Sequence, residues 1–236
     1  MIKIKQCRTI KPDGSIKEGS GIEIDSAGPT AAILQDVAGP IFSNPITGEC
    51  AGVLVFPDET NGEYMEAVLI SPGGATGPPL HFHPNYVEEF TIIEGEFMFH
   101  HDGKEMVLKA GDQLSVHANE EHTFRPTDRF DINTFVVVVR PPGMLIELVK
   151  TLYGLAHEGK LNKRGEPGLL QAITLAKKLS GDTIFTKPPP LVQKMMASIF
   201  APVAFRLGYR AIYPKYIDDE FWLERVEQYV QEPSKI

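Results

Sequence analysis

Gly77-Pro78-Pro79-Leu80-His81-Phe82-His83-Pro84-Asn85-Tyr86-Val87-Glu88-Glu89-Phe90-Thr91-Ile92-Ile93-Glu94-Gly95 is the stretch on which the reading of this 236-residue chain turns. Side chains on an extended segment alternate between two faces, so His81 and His83 share one face. By the same rule Glu88, Phe90 and Ile92 point one way on the next segment, and His122 and Phe124 do so further on. Three imidazoles and a carboxylate converging from neighbouring strands make a ligand set for a divalent metal. An N₃O set suits Fe, Mn, Zn, Ni or Cu, and suits Ca or a thiolate-preferring ion poorly.

Short strands are expected on both sides of this stretch. Gly52–Phe56 and Tyr64–Ser71 are rich in β-branched and aromatic residues and are separated by a turn-like Pro57–Gly62. Glu88–Glu94 and Glu96–His101 flank Gly95, and Asp102-Gly103 is a two-residue hairpin signal before Lys104–Leu108. Gln113–His117, Glu121–Arg125 and Asp131–Arg140 follow. The last holds the wholly apolar run Phe135–Val139, as expected of a strand covered on both faces. Many short strands with Gly turns predict a sandwich or barrel.

Pro141-Pro142 ends this pattern. Leu145, Leu148, Val149, Leu152, Leu155 and Ala156 recur at three and four, which predicts an amphipathic helix stopping near Gly159. Further helices are expected over Leu169–Leu179 and Leu191–Leu207, with Pro202 kinking or splitting the second. A last one, capped by Asp218 or Asp219, should carry Phe221, Trp222, Val226, Tyr229 and Val230. The domain reading is therefore an N-terminal extension (1–43), a β region (44–142) and a helical C-terminal region (143–236), packed on the barrel or on a symmetry mate. Ile2 and Ile4, alternating with lysines, read as a short edge strand.

The spacing Gly77, His81-x-His83, Glu88, Gly95 resembles the first cupin motif, and Gly111 with His122 resembles the second. His117, Asn119 and Pro126 stand where that second motif usually has proline, glycine and asparagine. Asn119 is a mild departure, because Asn tolerates a left-handed turn. The resemblance covers about Gly52 to Val139. It implies a mainly β protein, a cupin jelly-roll β-barrel with the N-terminal extension and α-helical C-terminal region outside the motif pair. It also implies a metal held by His81, His83, Glu88 and His122.

Around those ligands, strand parity places Phe90, Ile92 and Phe124 as the substrate pocket. Glu88 is a candidate base as well as a ligand, and His117 a secondary acid/base candidate, because histidine titrates near neutrality. Glu89 and Arg125 should face away from the site, and His100 and His101, before a turn, should be exposed. His157 should complement a helix dipole. Met195, Met196, Phe200, Phe205, Phe221 and Trp222 are expected to pack as core against the barrel or a symmetry mate, with a ligand pocket, a partner groove or a lid as other readings.

Net charge −8 argues against nucleic acid, which needs concentrated Lys and Arg. No apolar run is long enough to span a bilayer. The N-terminus has no apolar signal core. The two cysteines, Cys7 and Cys50, lie outside metal-like spacing, and reduced thiols in a cytoplasmic protein are expected. The functional expectation is one divalent transition metal and a small organic ligand or substrate in a homodimer. Dioxygenase-type chemistry is favoured. The alternatives are a metal-dependent isomerase or a non-catalytic binding or sensor cupin, and without an inward arginine a strongly anionic substrate is disfavoured.

Overall fold

The computed structural model describes residues 2–229, and Val230, expected in the last helix, lies outside the described residues. Lys3–Gln6 (β1) and Ile22–Asp25 (β2) form a small antiparallel pair, followed by Pro29–Leu34 (α1) and Phe42–Ser43 (β3). Then come Cys50–Val55 (β4), Met65–Pro72 (β5), His81–Phe82 (β6), Val87–Glu94 (β7) and Glu96–His101 (β8). Lys104–Lys109 (β9), Gln113–Val116 (β10), His122–Pro126 (β11) and Ile132–Arg140 (β12) complete the motif region.

Two sheets result. One runs β10-β7-β12-β5-β4-β3. The other, containing β6-β11-β8-β9, gains a fifth strand, Ile184–Phe185 (β13), beside β6. The β8–β9 hairpin turns where expected, with Asp102 and Gly103 both at positive φ and His101 opposite Lys104. The two sheets face each other over an aromatic core in which Phe135 meets Phe97 and Phe124, each at 5.0 Å between ring centres. No ladder joins the sheets among the described residues, so the expected barrel is an open two-sheet sandwich.

β12 is covered on both faces, as its composition requires. Phe135, Val137 and Val139 enter the aromatic core, while Val136 enters a second core on the outer side of the six-stranded sheet. That outer core draws on both ends of the chain: Ile22 and Ile24 of β2, Leu34 of α1, Tyr153 and Leu155 of Leu145–His157 (α2), and Tyr216 and Trp222. Tyr216 lies on Pro214–Ile217 (α5) and Trp222 on Asp219–Arg225 (α6). Asp218 caps α6 by accepting from Glu220 N, as expected, but the helix stops at Arg225 and Tyr229 lies beyond it. The N-terminal segment is stitched to that end, with Ile10 N donating to Arg225 O and Arg8 paired with Glu227.

Cys7 and Cys50 form a disulfide with Cα atoms 6.4 Å apart, which overturns the expectation of reduced thiols. Sequence spacing could not show it, because the juxtaposition comes from packing the β1–β2 pair over β4. Disulfides persist in oxidising compartments, so the cytoplasmic expectation loses the observation it rested on.

The remaining helices are Leu169–Lys178 (α3) and Pro190–Arg206 (α4), which pack together. α4 runs unbroken through Pro202, which sits on its exposed side. Trp222 is fully buried as expected, but Met195, Phe200 and Phe205 are exposed rather than core.

Candidate metal centre

His81, His83, Glu88 and His122 are all buried, and one ligand atom from each lies within 4.8 Å of every other. β6 supplies His81, and His83 follows just beyond its end, but these two do not make the cluster alone. His81 lies directly opposite His122 on β11, and β7 brings Glu88 from the facing sheet. Gly77, at φ +66, makes the approach to β6 possible: a Cβ there would sit 1.7 Å from Phe124 O. Asn119 takes the left-handed conformation, φ 70, and its N–H donates to His83 O, so the expected substitution for glycine holds.

The proton positions decide what the cluster can hold. His81 Nδ1 faces Pro79 O at 2.7 Å, His83 Nδ1 faces Asp182 O at 3.2 Å, and His122 Nδ1 faces Glu120 O at 3.2 Å. A carbonyl only accepts, so a proton on each Nδ1 satisfies these contacts and leaves each Nε2 lone pair free for a cation. His122 Nε2 then lies 2.9 Å from Glu88 Oε2, and His83 Nε2 lies 3.3 Å from the same oxygen. The His83 Nε2 contact lacks hydrogen-bonding direction, which leaves a buried nitrogen without a hydrogen-bond partner. Buried lone pairs and a carboxylate so close together are costly unless a cation sits among them. The residues fit a divalent transition metal, with imidazoles oriented by carbonyls in the way metal-bound histidines are.

Electrostatics agree. Burial, with His122 as the next contributor, pushes His81 down to about 3, so its imidazole is neutral near pH 7. Burial alone would raise the Glu88 carboxyl; in the cation-free cluster, protons on the His122 and His83 rings outweigh that and hold it below the usual carboxylate range, the place a bound cation would take.

Of the expected pocket residues, Phe90 lies 6.4 Å from the His122 ring and 5.7 Å from Phe124. Ile92, also buried, belongs to the aromatic core. His117 is exposed, and its N–H donates to Glu120 Oε2 at 2.7 Å. Glu89 faces outward and pairs with Arg140, and Arg125 is exposed, as parity requires. His101 is not the exposed loop residue expected: its ring is 16% exposed and contacts Glu120 Oε2 at 2.8 Å, and His100 is half-buried.

Sequence reading missed one wall. Tyr86 stacks on His83 at 4.1 Å, and its hydroxyl lies 3.3 Å from Thr183 Oγ1. Phe185 of β13 lies 6.1 Å from His81. Tyr86 sits inside the motif spacing and carried a signal. Asp182, Thr183 and Phe185 come from about a hundred residues away and carried none.

Residues 67–138 match the family model for the cupin domain. Quercetin 2,3-dioxygenase of Bacillus subtilis is 32% identical over 104 residues, 43% of this chain and 29% of that protein. The chain therefore spans less than a third of that relative's length. An oxalate-binding protein of Thermotoga maritima is 26% identical over 127 residues, 52% of this chain and 98% of that protein. Among solved structures, an RmlC-like cupin from Shewanella frigidimarina is 25% identical, with a TM-score of 0.37 over 43% of this chain and 83% of that one.

Proposed function

We propose that this chain, which carries a cupin domain over residues 67–138, is a metal-dependent enzyme acting on a small organic molecule, with dioxygenase-type chemistry favoured over isomerisation. One observation carries the reading: three buried imidazoles whose Nδ1 atoms face backbone carbonyls converge with Glu88, one ligand atom of each within 4.8 Å of the others. A divalent transition metal held by His81, His83, Glu88 and His122 supplies Lewis acidity and, if redox-active, one-electron chemistry.

The chain's own groups supply the rest. Phe90 and Phe185 put aromatic surface beside the ligand imidazoles, with Phe124 against Phe90, which suits an apolar substrate with oxygen donors. Glu88 is a ligand and the candidate base, able to take a proton at Oε from a substrate hydroxyl only when it leaves the metal. Arg125 points away, which fits poorly with a phosphate-bearing substrate. A second reading, ligand binding without turnover, is favoured by the relative named as an oxalate-binding protein, which this chain matches over 98% of its length.

The test is elemental analysis of protein purified without chelators, beside His81→Ala and His122→Ala. The expected result is near-stoichiometric transition metal lost in both variants, followed by oxygen uptake on a panel of phenolics and diketones. Metal without oxygen uptake or substrate depletion supports the binding reading. Equal metal content in wild type and variants overturns the centre.

A further inference from the structure

α4 turns its small side chains inward and its large ones outward. Ala197, Ala201 and Ala204 are buried, at the spacing of one helical face. On the opposite face Leu191, Val192, Met195, Ile199 and Val203 are between 42% and 69% exposed. A helix apolar all round is normally enclosed, and contiguous exposed apolar surface marks an interaction site.

The charges around it are segregated. Residues 167–217 hold seven Lys or Arg and one carboxylate, so they carry +6 where the remaining chain carries −14. That carboxylate, Asp182, is occupied internally: Oδ2 accepts from Met144 N and Oδ1 from the Thr183 hydroxyl. Lys187, Lys194, Arg206 and Arg210, along and beside α4, are exposed.

We propose that α4 is an interfacial helix by which this chain docks on an anionic lipid surface. Its large apolar side chains enter the boundary between headgroups and acyl chains, and the flanking cations meet lipid phosphates. No helix among the described residues is long and apolar enough to cross a membrane, so the helix lies in the interface. A second copy fits less well. A two-fold contact sets the same patch against itself, cation facing cation with no carboxylate within residues 167–217 free to pair.

Co-sedimentation of the full chain with phosphatidylcholine vesicles, with and without about 30 mol % phosphatidylglycerol, tests this. Binding to the anionic vesicles should be at least about tenfold stronger and should fall with salt. Met195→Gln with Ile199→Gln should weaken it about tenfold, and Lys194→Glu with Arg206→Glu should abolish the anionic preference. All four positions are exposed, and far-UV circular dichroism verifies folding. If the Gln pair unfolds, the charge-reversed pair decides. Absence of vesicle binding, or equal binding to neutral vesicles, overturns the proposal. So does a dimer that ignores vesicles and that Ile199→Gln converts to monomer, which would assign the face to a second copy.

Discussion

His157 closes α2 as a neutral, half-buried imidazole. Its Nε2–H donates to Ser43 O at 3.0 Å, and its ring lies edge-on to Trp222 at 5.8 Å. Burial pushes it down to about 4, so the expected role as a cation on the helix dipole does not hold. Above about pH 6.5 folded and unfolded chains both keep it neutral, and its contribution to stability is whole. As pH falls towards 4 the unfolded chain takes the proton and the folded chain resists, so stability is lost. The loss should approach about 3 kcal/mol by pH 4. Urea unfolding from pH 7 to 4 should show it, with His157→Gln, which keeps a donor for Ser43, visibly flatter. A variant as steep as wild type would place the acid sensitivity elsewhere. At this scale the sequence spoke clearly where a residue obeys strand parity, as with Glu88, Glu89 and Arg125. It misled where burial by distant elements sets the state of a side chain, as with His101 and His157.

Elements with their own period were legible: β7, β8, β9 and β12 begin and end within a residue of expectation, because alternation and Gly turns are local signals. β13 was not, since two residues have no period and pair only because α3 delivers them to the edge beside β6. The segment between α3 and β13 matters to the site. Asp182 anchors Met144 N at 2.9 Å and the Thr183 hydroxyl at 2.9 Å, while its carbonyl holds His83 Nδ1. Asp182→Ala removes those anchors and lets the carbonyl drift from the imidazole. Metal affinity, read by competition with a chromophoric chelator, should drop about tenfold with all four ligands intact. Asp182→Asn, which retains an acceptor oxygen, should lose less. Unchanged affinity in the Ala variant would mean that β13 pairing alone fixes that carbonyl.

The molecule as a whole has its two sheets around an aromatic core, and its two chain ends meet on the outer side of the larger sheet. No composition argument could show that second core, because it depends on tertiary contact between residues that neither alternate nor repeat together. The Cys7–Cys50 bond staples it, closing a separation of 43 residues. Cross-linking over such a span limits the unfolded chain by about 4 kcal/mol in the chain-entropy account, and measured effects run from about 2 to 4. Cys7→Ser with Cys50→Ser, or reductant on the native chain, should therefore lower the urea midpoint by a comparable free energy. The candidate metal centre lies on the other side of the larger sheet, against the aromatic core, so metal content of the folded variant should equal that of the native protein. A midpoint indifferent to reductant would mean that the two thiols are not joined in solution. Metal loss in step with stability would mean that the outer core and the ligand cluster unfold as one unit rather than as a cover and the site it supports.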